Sequence, residues 1–119
     1  MTAIWAASTV VRNGVFSVID SNGRALPYTD PRVTLLFPAM GELAVHIMAA
    51  TFDSHGFHVH AHAPSDEAIL KLGRGNTSCK ECLPLILTTG TLLNYVRNHK
   101  RPDEVLLYFM PTGSGPCRF

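Results

Sequence analysis

Cysteine is the residue type in this chain with the most specific chemistry: Cys79 and Cys82 flank Lys80 and Glu81, and Cys117 lies far beyond them in sequence. Thiolates hold iron–sulfur clusters, usually four at a time, so three in one chain leave at least one iron position for another domain or a substrate atom. Other readings use the same residues. A dithiol redox site wants its cysteine pair directly after a strand, whereas here a short helix and a loop are predicted to intervene. Structural zinc needs two more ligands, and the sequence has no second cysteine pair. Free cysteine is also among the most buried residue types and packs as a small hydrophobe.

Histidine offers a second possibility. His58, His60 and His62 alternate with Phe57, Val59 and Ala61, so on a strand the imidazoles share one face. Same-face histidines can ligate one metal ion, and a solvated or inter-domain strand face shows the same alternation without any ligand. The Gly113-Ser114-Gly115 turn beside Cys117 presents unencumbered backbone N–H groups, which makes Gly113 and Gly115 candidates to bind cluster sulfides or an anionic ligand. Glycine is routine in turns after strands, and neither GxGxxG nor GxxxxGK[ST] occurs. Nucleotide binding is not signalled.

The elements that must position these groups fall into two blocks. Residues 1–30 read as an N-terminal β-hairpin and linker: β-rich runs flank Asn13-Gly14, and turn residues with Pro27 and Pro31 follow. Residues 31–119 read as an α/β subdomain. Val33 to Phe37 forms a doubly covered strand stopped by Pro38. A helix over 41–54 follows, with Leu43, Ile47 and Ala50 on one apolar side and His55-Gly56 as its terminator. The second strand spans 57–62, and a short helix capped by Ser65 ends at Gly73. A long helix over 83–99 starts with Pro84 in its first turn, and its Gly90 is expected to touch the sheet closely. The third strand covers 104–110, and the unit is expected to be truncated there, without the helix that would cover it.

This order predicts a three-layer, Rossmann- or flavodoxin-like βαβαβ unit with a parallel sheet, preceded by the hairpin. Right-handed crossovers bring the helix starts to the carboxyl edge of such a sheet, where ligands bind. Cys82, at the start of the long helix, and Cys117, after the third strand, are therefore expected to meet there. The helix N-terminus favours the thiolate form.

Composition narrows the class further. At 119 residues the chain is one domain's worth, and 46% hydrophobic residues exclude wholesale disorder. A formal charge of +1 supplies no field to recruit nucleic acid or an anionic bilayer. No apolar run reaches the roughly 20 residues that cross a membrane, and the N-terminus lacks a charged start for a secretory signal. Together with the odd cysteine count, this points to an intracellular, cytoplasmic protein.

Two strings carry a family likeness. Glu81-Cys82-Leu83-Pro84-Leu85-Ile86-Leu87-Thr88-Thr89-Gly90, followed by the run from Leu107 through Pro111-Thr112-Gly113-Ser114-Gly115-Pro116-Cys117-Arg118-Phe119, resembles the 2-hydroxyacyl-CoA dehydratase and benzoyl-CoA reductase superfamily. The branch most similar is that of large proteins fusing an ATP-dependent activase to dehydratase-like domains. The likeness spans about residues 32–119. It implies a subdomain holding part of an iron–sulfur cluster, [4Fe–4S] or a double cluster, with Cys82 and Cys117 as ligands; Cys79 is not at an expected family ligand position and stays an open metal candidate. It also implies low-potential electron transfer to acyl-CoA chemistry in anaerobic metabolism. The partners would be the remaining domains of the same protein or a dehydratase or activase, so the enzyme label belongs to the assembly. The activase's nucleotide-binding motifs are missing, and family chains continue past the Arg118-Phe119 pair. A non-catalytic α/β interaction module with packed cysteines is the alternative.

Overall fold

Asn13 and Gly14 adopt positive φ of 52° and 76°, the backbone of a tight turn whose twist suits a hairpin. In the computed structural model, which describes residues 8–78, 80–111 and 113–116, this turn joins β1 (Ser8–Arg12) to β2 (Val15–Ile19) in antiparallel register. The stretch expected as linker supplies a third strand, β3 (Ala25–Pro27), antiparallel to β2. Asp20 organises the connection: its Oδ1 accepts the N–H groups of Asn22 and Arg24, each at 2.9 Å, and its Oδ2 accepts Arg24 Nε at 2.8 Å. These bonds, the backbone N–H of Arg24 foremost, hold the buried Asp20 carboxyl below its ordinary pKa. Pro27 is tolerated because it lies at the end of a short edge strand.

The second block follows the predicted order: β4 (Val33–Phe37), α1 (Glu42–Ser54), β5 (His58–Ala61), α2 (Glu67–Arg74), α3 (Leu83–Asn98) and β6 (Val105–Tyr108). Its strands are parallel in the order β5-β4-β6, so the first strand lies in the centre, as in the flavodoxin-like arrangement. The fold is α/β: an antiparallel three-strand sheet, then a parallel sheet built from a βαβααβ run, with two helices between its second and third strands. All five residues of β4 are buried. Leu35 and Phe37 meet Val45, Met48, Ala49 and Phe52 of α1, while Thr34 points to the opposite face, toward α3. Val18 and Leu26 of the first sheet share a core with Val33 and Val105 of the second. No helix among the described residues is long and apolar enough to cross a membrane.

Three local readings are corrected. The side of α1 expected to face the core is turned outward, with Leu43 75% and Ile47 57% exposed. Both sides of α1 are apolar, and the aromatic cluster of Phe37, Phe52 and Phe109 decides which one is buried. Asp66, not Ser65, caps α2, its Oδ1 accepting Ile69 N–H at 2.9 Å. Gly90 approaches α2 and not the sheet: a Cβ there would lie 2.2 Å from the carbonyl oxygen of Ile69. Gly73 makes the reciprocal approach, its Cβ position 2.0 Å from the carbonyl oxygen of Ile86. The two glycines let α2 and α3 touch backbone to backbone.

Candidate functional site

The carboxyl edge of the parallel sheet is where β4 and β6 end and α3 begins. Cys82 is the N-cap of α3, with extended backbone, an exposed free thiol and no side-chain capping bond. Its carbonyl accepts Ile86 N–H at 3.1 Å, which closes the first turn. Tyr108, the last residue of β6, donates its hydroxyl to the carbonyl of Thr88 at 2.7 Å, and burial pushes that phenol up from its ordinary pKa. This bond ties the end of β6 to α3 at a level about 9 Å from Cys82 along the helix axis, at 1.5 Å of rise per residue.

The turn leading into Cys82 is closed by a carboxylate. Glu81 Oε1 accepts the Ser78 hydroxyl at 2.6 Å and its N–H at 3.3 Å, and Oε2 accepts Lys80 N–H at 3.1 Å. The Ser78 hydroxyl is the main cause that holds Glu81 below the ordinary carboxylate range. Gly113 and Gly115 are exposed and open, with nothing near either Cβ position, and only Gly115 needs its glycine, at φ 131°. Cys79 and Cys117 lie outside the described residues, and so does the expected approach of Cys117 to Cys82. Among the described residues no group of three or more histidine, cysteine or acidic side chains is arranged to hold a metal ion.

The histidine strand resolves differently from a metal site. Phe57, Val59 and Ala61 pack on the α1 side, so the imidazoles of His58, His60 and His62 look toward α3, as their alternation predicts. His58 Nε2 donates to the Thr29 carbonyl at 3.1 Å. His62 Nδ1 donates to the Ala63 carbonyl at 2.7 Å, and its Nε2 accepts from the Asn94 amide at 3.1 Å. Both His62 nitrogens are therefore committed to protein partners. His60 instead rests against Tyr95, ring centroids 5.0 Å apart, with His99 at 6.4 Å.

This places His60 beside a constellation that sequence reasoning missed, at the amino edge of the sheet. Glu104, just ahead of β6, has a side chain only 3% exposed. Its Oε2 accepts the Thr34 hydroxyl at 3.1 Å and the Tyr95 hydroxyl at 3.2 Å, with Arg101 Nε at 3.6 Å. Its Oε1 is buried and has no partner. Burial of the phenol and the nearby carboxylate raise the Tyr95 pKa. Partial burial, then the neighbouring His62 and His99, lower that of His60. A cavity of about 400 Å³ opens among these groups. The sequence signals were faint: an acid abutting an apolar run, and Tyr95 one helical turn before His99. Thr34 and Glu104 are 70 residues apart, and only strand register brings them together.

A larger groove, about 810 Å³, follows β6 and is lined also by Phe16, Arg24, Phe52 and Phe109. A third cleft, about 610 Å³, is walled by Phe16, Tyr28, Phe52 and Phe57. Comparison with known proteins finds no family model, curated protein or solved structure that matches this chain.

Proposed function

We propose that the carboxyl edge is the working edge, and that Cys82, with Cys117 and Cys79, contributes thiolates to an iron–sulfur cluster of the [4Fe–4S] kind. The cluster would serve low-potential electron transfer in a cytoplasmic acyl-CoA dehydratase or reductase system, with an ATP-driven activase and further domains as partners. The observation that supports this reading is the state of Cys82: an exposed, free thiol on the N-cap residue of a helix, at the edge where parallel α/β sheets keep their ligands. A thiol serving only as a small hydrophobe would be buried, and this one is not. The described residues fit a cluster as the source of one ligand, with N–H groups of the first turn of α3 as donors to sulfur. The redox chemistry is the cluster's own; the chain's part is to hold and tune it.

A second reading has its own support. The exposed apolar pair Leu43 and Ile47 on α1 suits a non-catalytic interaction module docked through a helix face. Anaerobic reconstitution with iron and sulfide separates the two. Under the cluster reading the protein gains iron and visible absorbance, Cys82→Ser and Cys117→Ser abolish both, and Cys79→Ser has the smaller effect. Colourless protein that takes up no iron supports the module, and equal loss from all three variants makes Cys79 a full ligand.

A further inference from the structure

The order β5-β4-β6 makes β6 an edge strand, with no further strand beside it among the described residues. Val105 N–H goes to the Arg32 carbonyl at 2.7 Å and Phe109 N–H to the Leu36 carbonyl at 2.9 Å, so these alternate residues turn their main chain toward β4. Successive strand residues point their N–H and C=O groups to opposite sides. Those of Leu106 and Tyr108 therefore point away from β4, where no described residue bonds them. The 810 Å³ groove lies against this outer side. A cavity over one sheet face touches every second residue of a strand, whereas this one is lined by all of residues 105–110, with Phe52 of α1 on one face of the sheet and Val96 of α3 on the other.

Edge strands are normally blunted by a lysine, a proline or an inward charge. Residues 105–110 are all apolar or aromatic and contain none of these, while the opposite edge, β5, is interrupted by His58 and His60. What the groove offers is a row of alternating main-chain donors and acceptors, and the ligand that matches such a row is another extended main chain. Charge narrows the sequence of that chain. Arg24 is matched by Asp20 at 2.8 Å, Glu104 is held by Thr34 and Tyr95, and Lys100 and Asp103 are of opposite sign, so the groove favours neither an acidic nor a basic segment. On the α1 side, Leu107 and Phe109 present an apolar wall with Phe52; the α3 side, with Val96 and Lys100, is mixed. A second copy of the chain fits this edge poorly, because its own β6 lies between the same walls. We propose that the outer edge of β6 takes up an extended, uncharged segment of a partner protein as an added strand, its main chain bonded to Leu106 and Tyr108 and its alternate, apolar side chains set against Leu107 and Phe109.

The test uses the full chain, kept dilute, and a heptapeptide of alternating valine and threonine, acetylated and amidated so that it carries no charge. Amide hydrogen exchange followed by NMR reads each N–H separately. In the free chain Leu106 and Tyr108 should exchange faster than Phe109, whose N–H is already bonded. The peptide should slow both in a saturable way, and the same peptide N-methylated at every residue, which has no main-chain donor, should not. Leu106→Pro removes one outward N–H at a place where an edge strand tolerates proline, and it should weaken binding about tenfold, the scale of one lost hydrogen bond. Should that variant not fold, the N-methylated peptide applies the same test to the wild-type chain. Absence of saturable binding overturns the proposal, as do equal effects of the two peptides, binding that leaves Leu106 and Tyr108 exchange unchanged, or undiminished binding in Leu106→Pro. So does protection of both amides in the free chain, which means an edge already covered or, where it rises with protein concentration, pairing with a second copy. None of these outcomes depends on iron loading, so the proposal stands or falls apart from the cluster reading.

Discussion

The two ends of one parallel sheet are built in opposite ways. At the carboxyl edge, Cys82 sits exposed at a helix start, after a turn held by its sequence neighbours Ser78, Lys80 and Glu81. At the amino edge, Glu104 is buried and held by Thr34 from another strand and Tyr95 from the last turns of α3. The first arrangement leaves a reactive group open at almost no structural consequence. The second buries a charge, which is tolerable only while its hydrogen bonds are made. Substitutions at the two edges should therefore separate cleanly, the amino edge reading out in stability and the carboxyl edge in chemistry.

The largest effect comes from the seam that both edges share. α3 delivers Cys82 at its start and Tyr95 near its end, and its position is set by the close approach of Gly73 and Gly90 to α2. In an ordinary helix interior Gly→Ala stabilises by roughly 1 kcal/mol. At Gly90 the new methyl would lie 2.2 Å from a backbone carbonyl, which no side-chain rotation relieves. Gly90→Ala should then destabilise by about 2 kcal/mol, the overpacking penalty exceeding the propensity gain. Denaturant unfolding measures it. A stabilised variant would mean that the two helices are not in backbone contact, and the delivery of both edges by one rigid element would fail with it.

That seam also shows what could be read from the sequence and what could not. The alternation of βα elements, the Asn13-Gly14 turn and the Pro84 helix start are local signals, and the α/β class with its parallel sheet follows from them. Gly90 was legible as a close-packing position, but its neighbour was not, because nothing near it in sequence distinguishes a helix from a sheet as the partner. Likewise α1 carries apolar residues on both sides, so its pattern alone cannot choose between Leu43 with Ile47 and Val45 with Phe52. Cys82 was legible because a cysteine before Leu83-Pro84 announces a helix start. The Glu104 constellation was not, because it exists only once β4, β6 and α3 are in register.

Removing one bond at the amino edge should have a smaller, measurable effect. Tyr95→Phe deletes the hydroxyl donor to Glu104 Oε2, and Thr34→Val deletes the other. Each should cost about 1 kcal/mol, since Oε2 keeps one donor in either single variant. Together they should cost more than the sum, because the carboxylate then retains Arg101 alone. Strict additivity in the double-mutant cycle would show that the two hydroxyls do not act on a common oxygen's hydration, and the contrast between a networked edge and an open one would lose its basis.

Smaller still is the proton linkage at His60, whose exposed flank lets water screen much of it. Partial burial and then His62 and His99 lower its pKa from 6.5, with Glu104 opposing from the far side. A depressed folded-state pKa means that the unfolded chain binds the proton more readily. The His60 contribution to stability is therefore complete above about pH 6.5, declines as the pH falls through the folded-state pKa, and is flat below it. The stability difference between wild type and His60→Gln, followed from pH 7.5 to 5, should shrink toward acid. A difference that grows toward acid would place the imidazolium in favourable contact with Glu104, and the carboxylate would then dominate that side of the cavity over the histidine neighbours.

The smallest expected change in stability is at Cys82. Its side chain is exposed and makes no capping bond, and surface substitutions of this kind usually fall within about 0.5 kcal/mol. Serine is also a good N-cap, able to accept an N–H that the thiol leaves unbonded, which offsets part of any loss. Cys82→Ser should accordingly unfold at nearly the wild-type denaturant concentration while losing iron uptake in reconstitution. A marked loss of stability, of 1.5 kcal/mol or more on the scale of a buried side chain, would mean that the thiol is packed in solution. The carboxyl edge would then be built like the amino edge, and the exposed thiol on which the cluster reading rests would no longer be there to bind iron.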